Sequence, residues 1–129
     1  MTTPRLFAFT LALACGTVGA SHASALAEQC LGRAPRLADS LAAHDYDGAN
    51  KQLGTLMQFM FSADTLRGNW EGMIHEDGAY QSHGKPWVAD DDGKDAFIRI
   101  DITFARKANA MQIVCSRDAH GQISSLAFL

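Results

Sequence analysis

Five residues hold the chemistry this sequence can offer, and most of them fall on one short stretch. Arg99, Asp101 and Thr103 alternate with Ile98, Ile100, Ile102 and Phe104 in the run Phe97-Ile-Arg-Ile-Asp-Ile-Thr-Phe104. That period of two predicts a strand with one apolar and one polar face. Tyr80 and His83, from a neighbouring polar segment, are expected beside the polar face. There Arg99 can hold an anion, while Asp101 or His83, with Tyr80, can serve an acid–base pair. A ligand-binding face would use Arg99, Asp101, Thr103 and Tyr80. The plainer reading is a solvated face with a cross-strand ion pair, since antiparallel sheets commonly keep one wet side.

Other motifs fail on inspection. His75-Glu76 starts like a zinc-protease helix, but Ala79 stands where the second histidine belongs. Asp90-Asp91-Asp92-Gly93 looks like part of a calcium loop, yet Arg99 falls where its final acidic ligand is required. No G-x-S-x-G elbow, G-x-G-x-x-G turn or Walker loop occurs. Cys115 lies mid-strand with no base near it in sequence, which argues against a thiolate nucleophile. The expectation is therefore no metal and no cofactor.

These residues need elements to position them. Pro35 is placed to open a helix carrying Leu37 and Leu41. Asp47 can cap a second segment with Ala49, Leu53, Leu56, Met57 and Met60 on its apolar side, interrupted by Gly54. Ser62 caps a third helix, where Leu66, Trp70, Met73 and Ile74 form a buried stripe that Gly78 ends. Trp70, Phe59 and Phe61 read as core. From Ala79 the period becomes two: a broken polar strand to Trp87, then Phe97–Phe104, Met111–Arg117 and Ile123–Leu129. Asp91–Lys94, Lys107–Asn109 and Asp118–Gly121 form the turns between them. Short turns imply an antiparallel meander. The expected fold is α+β, with two to three N-terminal helices packed on a four-stranded antiparallel sheet.

The chain of 129 residues, 47% hydrophobic with a formal charge of −3, suits one domain. It has no basic face for nucleic acid. Met1 to Ala20 reads as an export signal: Arg5 supplies the positive end, Leu6 to Ala14 an apolar run too short to span a membrane. Ala23-Ser24-Ala25 is the preferred cleavage pattern, with Val18-Gly19-Ala20 as second choice. This divides the chain into a signal peptide, 1–25, and one domain, 26–129, of a periplasmic or secreted protein. Cys15 offers a lipoprotein alternative, although Ala12 stands where leucine is expected before such a cysteine. Loss of Arg5 leaves ten basic against fourteen acidic residues, or −4, and loss of Cys15 leaves Cys30 and Cys115. Those two can pair in an oxidising compartment or stay as separate buried thiols.

The segments Phe61–Ile74 and Ile113–Phe128 resemble the family called domain of unknown function 3887. The likeness rests on a Leu-x-x-x-Trp helix, here Leu66 and Trp70, and an Asp-x-x-Gly-x-Ile-x-x-Leu ending, here Asp118, Gly121, Ile123 and Leu126. It covers roughly residues 37–129. It implies a cystatin-like or nuclear transport factor 2-like cone, in which helices close over a curved sheet, and it brings no catalytic residues. Taken together, the expectation is non-catalytic binding of a small molecule, peptide or partner protein through the sheet face or the cone opening. The alternative is a small cavity isomerase, dehydratase or hydrolase using Asp101, His83 and Tyr80. Homodimerisation through the sheet is a third reading.

Overall fold

The structure is a computed structural model that describes residues 23–129. The expected export signal up to position 22, with Arg5 and Cys15, lies outside the described residues. Four helices come first: α1 (Ala25–Ala42), α2 (Tyr46–Lys51), α3 (Thr55–Met60) and α4 (Ala63–Asp77). Five strands come after them: β1 (Tyr80–His83), β2 (Trp87–Asp91), β3 (Asp95–Phe104), β4 (Ala108–Ser116) and β5 (Ile123–Phe128). The fold is α+β, with helices packed against one antiparallel sheet. Its elements outnumber the sequence expectation by one helix and one strand, and each extra element has a local cause.

The first helix begins well before Pro35, which lies inside it. Ser24 is its N-cap: its hydroxyl accepts from the Ala27 N–H and donates to Asp91, and its own N–H donates to the same carboxylate. Ala27, Cys30, Ala34, Leu37, Ala38 and Leu41 form one buried face at helical spacing. That face outweighs the roughly 3 kcal/mol a proline costs a helix interior. Small side chains upstream of Pro35 hid the stripe from a hydrophobicity reading.

The segment expected as one helix after Asp47 is two. Asp45, rather than Asp47, caps α2 by accepting from the Gly48 N–H. At Leu53 the chain runs alongside β5, and the Gly54 N–H donates to the Ile123 carbonyl at 2.9 Å. A Cβ at position 54 would stand 2.6 Å from that oxygen, so only glycine allows the approach. Helix α4 matches its expectation. Ser62 caps it, Leu66 and Trp70 are buried, Met73 and Ile74 of the expected stripe are half-buried, and Gly78 ends it at a φ of 93°.

In the sheet, β1 and β2 both pair with β3, one after the other along the same edge, and β4 and β5 lie on its other side. Gly84 and Pro86 interrupt this edge, so one expected strand becomes two. Proline has no N–H to donate to the ladder. Ile98, Ile100, Ile102 and Phe104 face the helices and are buried, while Asp101 and Thr103 are exposed on the opposite, open face. Cys30 of α1 and Cys115 of β4 form a disulfide with a Cα–Cα distance of 5.9 Å, bolting the longest helix to the sheet. Among the described residues, no helix is long and apolar enough to cross a membrane.

Candidate functional site

The structure divides the five predicted site residues between the two faces of the sheet. Arg99, Asp101 and Thr103 share the open face. Arg99 is held there by Gln112, whose Oε1 accepts from its Nε at 2.8 Å, and its guanidinium lies 5.7 Å from the Trp87 ring centroid. Tyr80 instead turns inward beside Phe104 and packs on Trp70, with ring centroids 5.7 Å apart. His83 pairs with Ile102 and also faces the helical layer, where its Nε2 meets Asp39 of α1 at 2.7 Å. Tyr80 faces inward by its pairing with Phe104, and the bulge between Tyr80 and Ser82 brings His83 to the same face, because one extra residue re-aims the side chains after it. The expected grouping of Asp101 with His83 and Tyr80 is therefore corrected: the sheet itself separates them.

His83 forms a different pair. Its Nδ1 lies 2.9 Å from the Gly84 carbonyl and its Nε2 faces a carboxylate, so both ring nitrogens meet acceptors. Only the imidazolium can donate from both. The Gly84 carbonyl, and after it Asp39, raise the His83 pKa above its usual 6.5, against partial burial that pulls the other way. Tyr80 beside it is raised by burial first and by the Asp39 charge second. The bond of β1 to α1 is thus fully present below the unfolded-state pKa of about 6.5. It is lost as pH rises through the raised folded value. A proton titration by nuclear magnetic resonance will place His83 above 6.5, and Asp39→Asn will lower it without abolishing the Gly84 contribution.

The larger concavity lies elsewhere, between α3 and the turn joining β4 to β5. It measures about 430 Å³, with Leu56, Met57 and Ile123 on its apolar side and Asp118, His120 and Gln122 on its polar side. Gly54 sets its width by holding α3 against β5. Arg117–Ala119 form a short 3-10 turn, and His120 and Gly121 both take positive φ, which folds the chain over the cleft mouth. Ser116 donates to Asp95 and shares a hydrogen bond with Ser124, so the cleft floor carries hydroxyls already fixed in place. A smaller recess of about 280 Å³ lies on the far side of His120, against Leu26 and Gln29.

Helix α3, whose Thr55, Leu56 and Met57 line the cleft, exposes apolar side chains expected to be core. Phe59 is 84% exposed, Leu56 73% and Met60 62%, and only Met57 of this helix is buried. The correction is geometric. Helix α3 has six residues, four of them large and apolar, and so short a helix can bury only part of its circumference. Phe61 is half-buried against the core, and Trp70 is fully buried as expected. The cleft itself escaped the sequence reading because its walls come from residues 54–57 and 116–124. Length was the available clue, since five large apolar residues between Gly54 and the Ser62 cap exceed one helical face.

Among the described residues, no group of three or more histidine, cysteine or acidic side chains is placed to hold a metal ion. No family model, curated protein or solved structure matches the chain.

Proposed function

We propose that this chain is an exported, non-catalytic binding module that takes a small amphipathic molecule into the α3 cleft. The carrying observation is the cleft itself. Its volume of about 430 Å³ falls within the range of small-molecule sites, and it sets an apolar wall against a few polar groups. The ligand's apolar body would lie mainly on Leu56, with Met57 and Ile123 buried behind it, and its polar end would meet Gln122, His120 or Asp118. The disulfide supports export, because such bonds persist in oxidising compartments. Cleavage after Ala25 would remove Ser24 and its tie to Asp91, whereas cleavage after Ala20 would keep both. The likeness to the domain of unknown function 3887 family supports the same class of reading, since it too brings a small module without catalytic residues.

The open face, with Arg99, Asp101 and Thr103, is the competing location. Arg99 is already engaged by Gln112 and Trp87, which leaves less of it for an anion. Titration of a fluorescent naphthalene sulfonate probe into the oxidised protein separates the two. Leu56→Asp puts a charge on an exposed rim position and is expected to weaken probe binding by about tenfold or more, the equivalent of roughly 1.4 kcal/mol. Arg99→Ala should leave it unchanged. The reverse pattern moves the ligand to the sheet face and overturns the cleft assignment.

A further inference from the structure

The two edges of this sheet are treated very differently. The edge made by β1 and β2 carries bulges at Tyr80/Ser82 and Val88/Asp90, is interrupted by Lys85 and Pro86, and ends in acidic residues. Those are the devices by which sheets avoid pairing with other chains. The β5 edge has a bulge at Ser124, but beyond it Ser125-Leu-Ala-Phe128 pairs in regular register and contains no charge, no proline and no glycine. Among the described residues, the Gly54 N–H bonds to this edge at Ile123, and α3 packs beside it.

The register shows which backbone groups remain. Ala110 and Leu129 exchange both hydrogen bonds, at 3.2 and 2.8 Å. Antiparallel ladders alternate, so Ala127 bonds to Gln112 while Leu126 and Phe128 direct their N–H and C=O groups away from β4. No hydrogen bond from another described residue outside that ladder reaches them. Helix α3 packs beside β5 and presents Leu56, Phe59 and Met60 outward.

We infer that this edge pairs with the same edge of a second copy, joining two sheets across a two-fold axis. The occupant is set by self-complementarity. An antiparallel register centred on Ala127 sets Leu126 of each copy against Phe128 of the other, and each of these pairs exchanges two bonds. That register leaves Ile123, already taken by Gly54, outside the contact. An uncharged edge lets two copies of an acidic chain meet without a like-charge penalty. A stable interface covers about 800 Å² per copy, and a fully covered aromatic side chain alone supplies about 150–250 Å² of that. Phe59, Leu56 and Met60 beside the strand are therefore a fitting supplement to the edge. The inference rests on the β5 backbone and shares Leu56 alone with the cleft proposed for the ligand.

Sedimentation velocity on the oxidised protein at about 100 μM, where micromolar association is nearly complete, provides the test. The protein should sediment as a dimer. Ala127→Glu sets two carboxylates face to face on the axis and should raise the dimer dissociation constant about tenfold or more, as should Phe59→Glu at its exposed position. Ala127→Ser should not. Amide exchange at Leu126 and Phe128 should be slow in the dimer and fast after dilution. A monomer at that concentration overturns the inference and leaves the edge to a strand from another protein. A dimer that survives Ala127→Glu but is broken by Thr103→Glu lies on the open face and overturns it equally.

Discussion

Replacing Cys30 and Cys115 together by alanine is expected to destabilise the domain by about 2–5 kcal/mol. The bridge spans 85 residues of sequence, and a loop of that length restricts the unfolded chain by about 4–5 kcal/mol in the chain-entropy treatment. Domains of this size keep only about 5–15 kcal/mol of net stability, so the bridge accounts for a large share. Its position adds to the effect. Both cysteines are fully buried, one on the long helix and one in a central strand, so the bond crosses the interface on which the fold depends. For a domain of about 100 residues each kcal/mol moves the melting temperature by about 4–8 °C. The oxidised protein should therefore melt at least about 8 °C above the double variant. Equal melting temperatures would mean that the two thiols do not pair.

Trp70→Ala is expected to cost about 3–5 kcal/mol, the range for deleting a buried aromatic side chain. Trp70 has no exposed surface, and its ring lies 5.7 Å from Tyr80, 5.5 Å from Phe104 and 6.3 Å from Phe128. One side chain thus joins α4 to three strands. Its indole Nε1 is buried without a partner among the described residues, which itself carries a penalty. Trp70→Phe should for this reason cost clearly less than Trp70→Ala, because it keeps most of the packing and removes the orphan donor. Urea unfolding of the two variants reads the difference. Equal losses would show that the indole donor is satisfied in solution.

Sequence periodicity exposed the parts of the fold where one pattern runs long enough to be distinctive. The alternation through Ile98, Ile100, Ile102 and Phe104 placed the central strand and its buried face correctly, and Ser62, Leu66, Trp70 and Gly78 defined α4 from cap to cap. Trp70, Leu66, Ile123 and Leu126 are buried, and Gly121 takes a positive φ, so the motif positions that suggested a family are ones the fold needs. Errors arose where a single residue resets the geometry. One bulge after Tyr80 turned His83 to the inward face that Tyr80 already shares, and one hydrogen bond from Gly54 split a helix and created the cleft. Neither event leaves a periodic trace. The candidate site was least legible because its walls meet only through a contact between residues distant in sequence, and because Phe59 looks like core in any hydrophobicity count.

The proposed ligand site is the α3 cleft rather than the polar face of the sheet. Backbone amide shifts, recorded on the oxidised protein during titration with the naphthalene sulfonate probe, test it residue by residue. Binding in the cleft predicts the largest shifts at Thr55, Leu56 and Met57 and at Asp118 to Ser124, with Arg99, Asp101 and Thr103 unmoved. Shifts concentrated at Arg99, Asp101 and Thr103, with the α3 amides still, would contradict it.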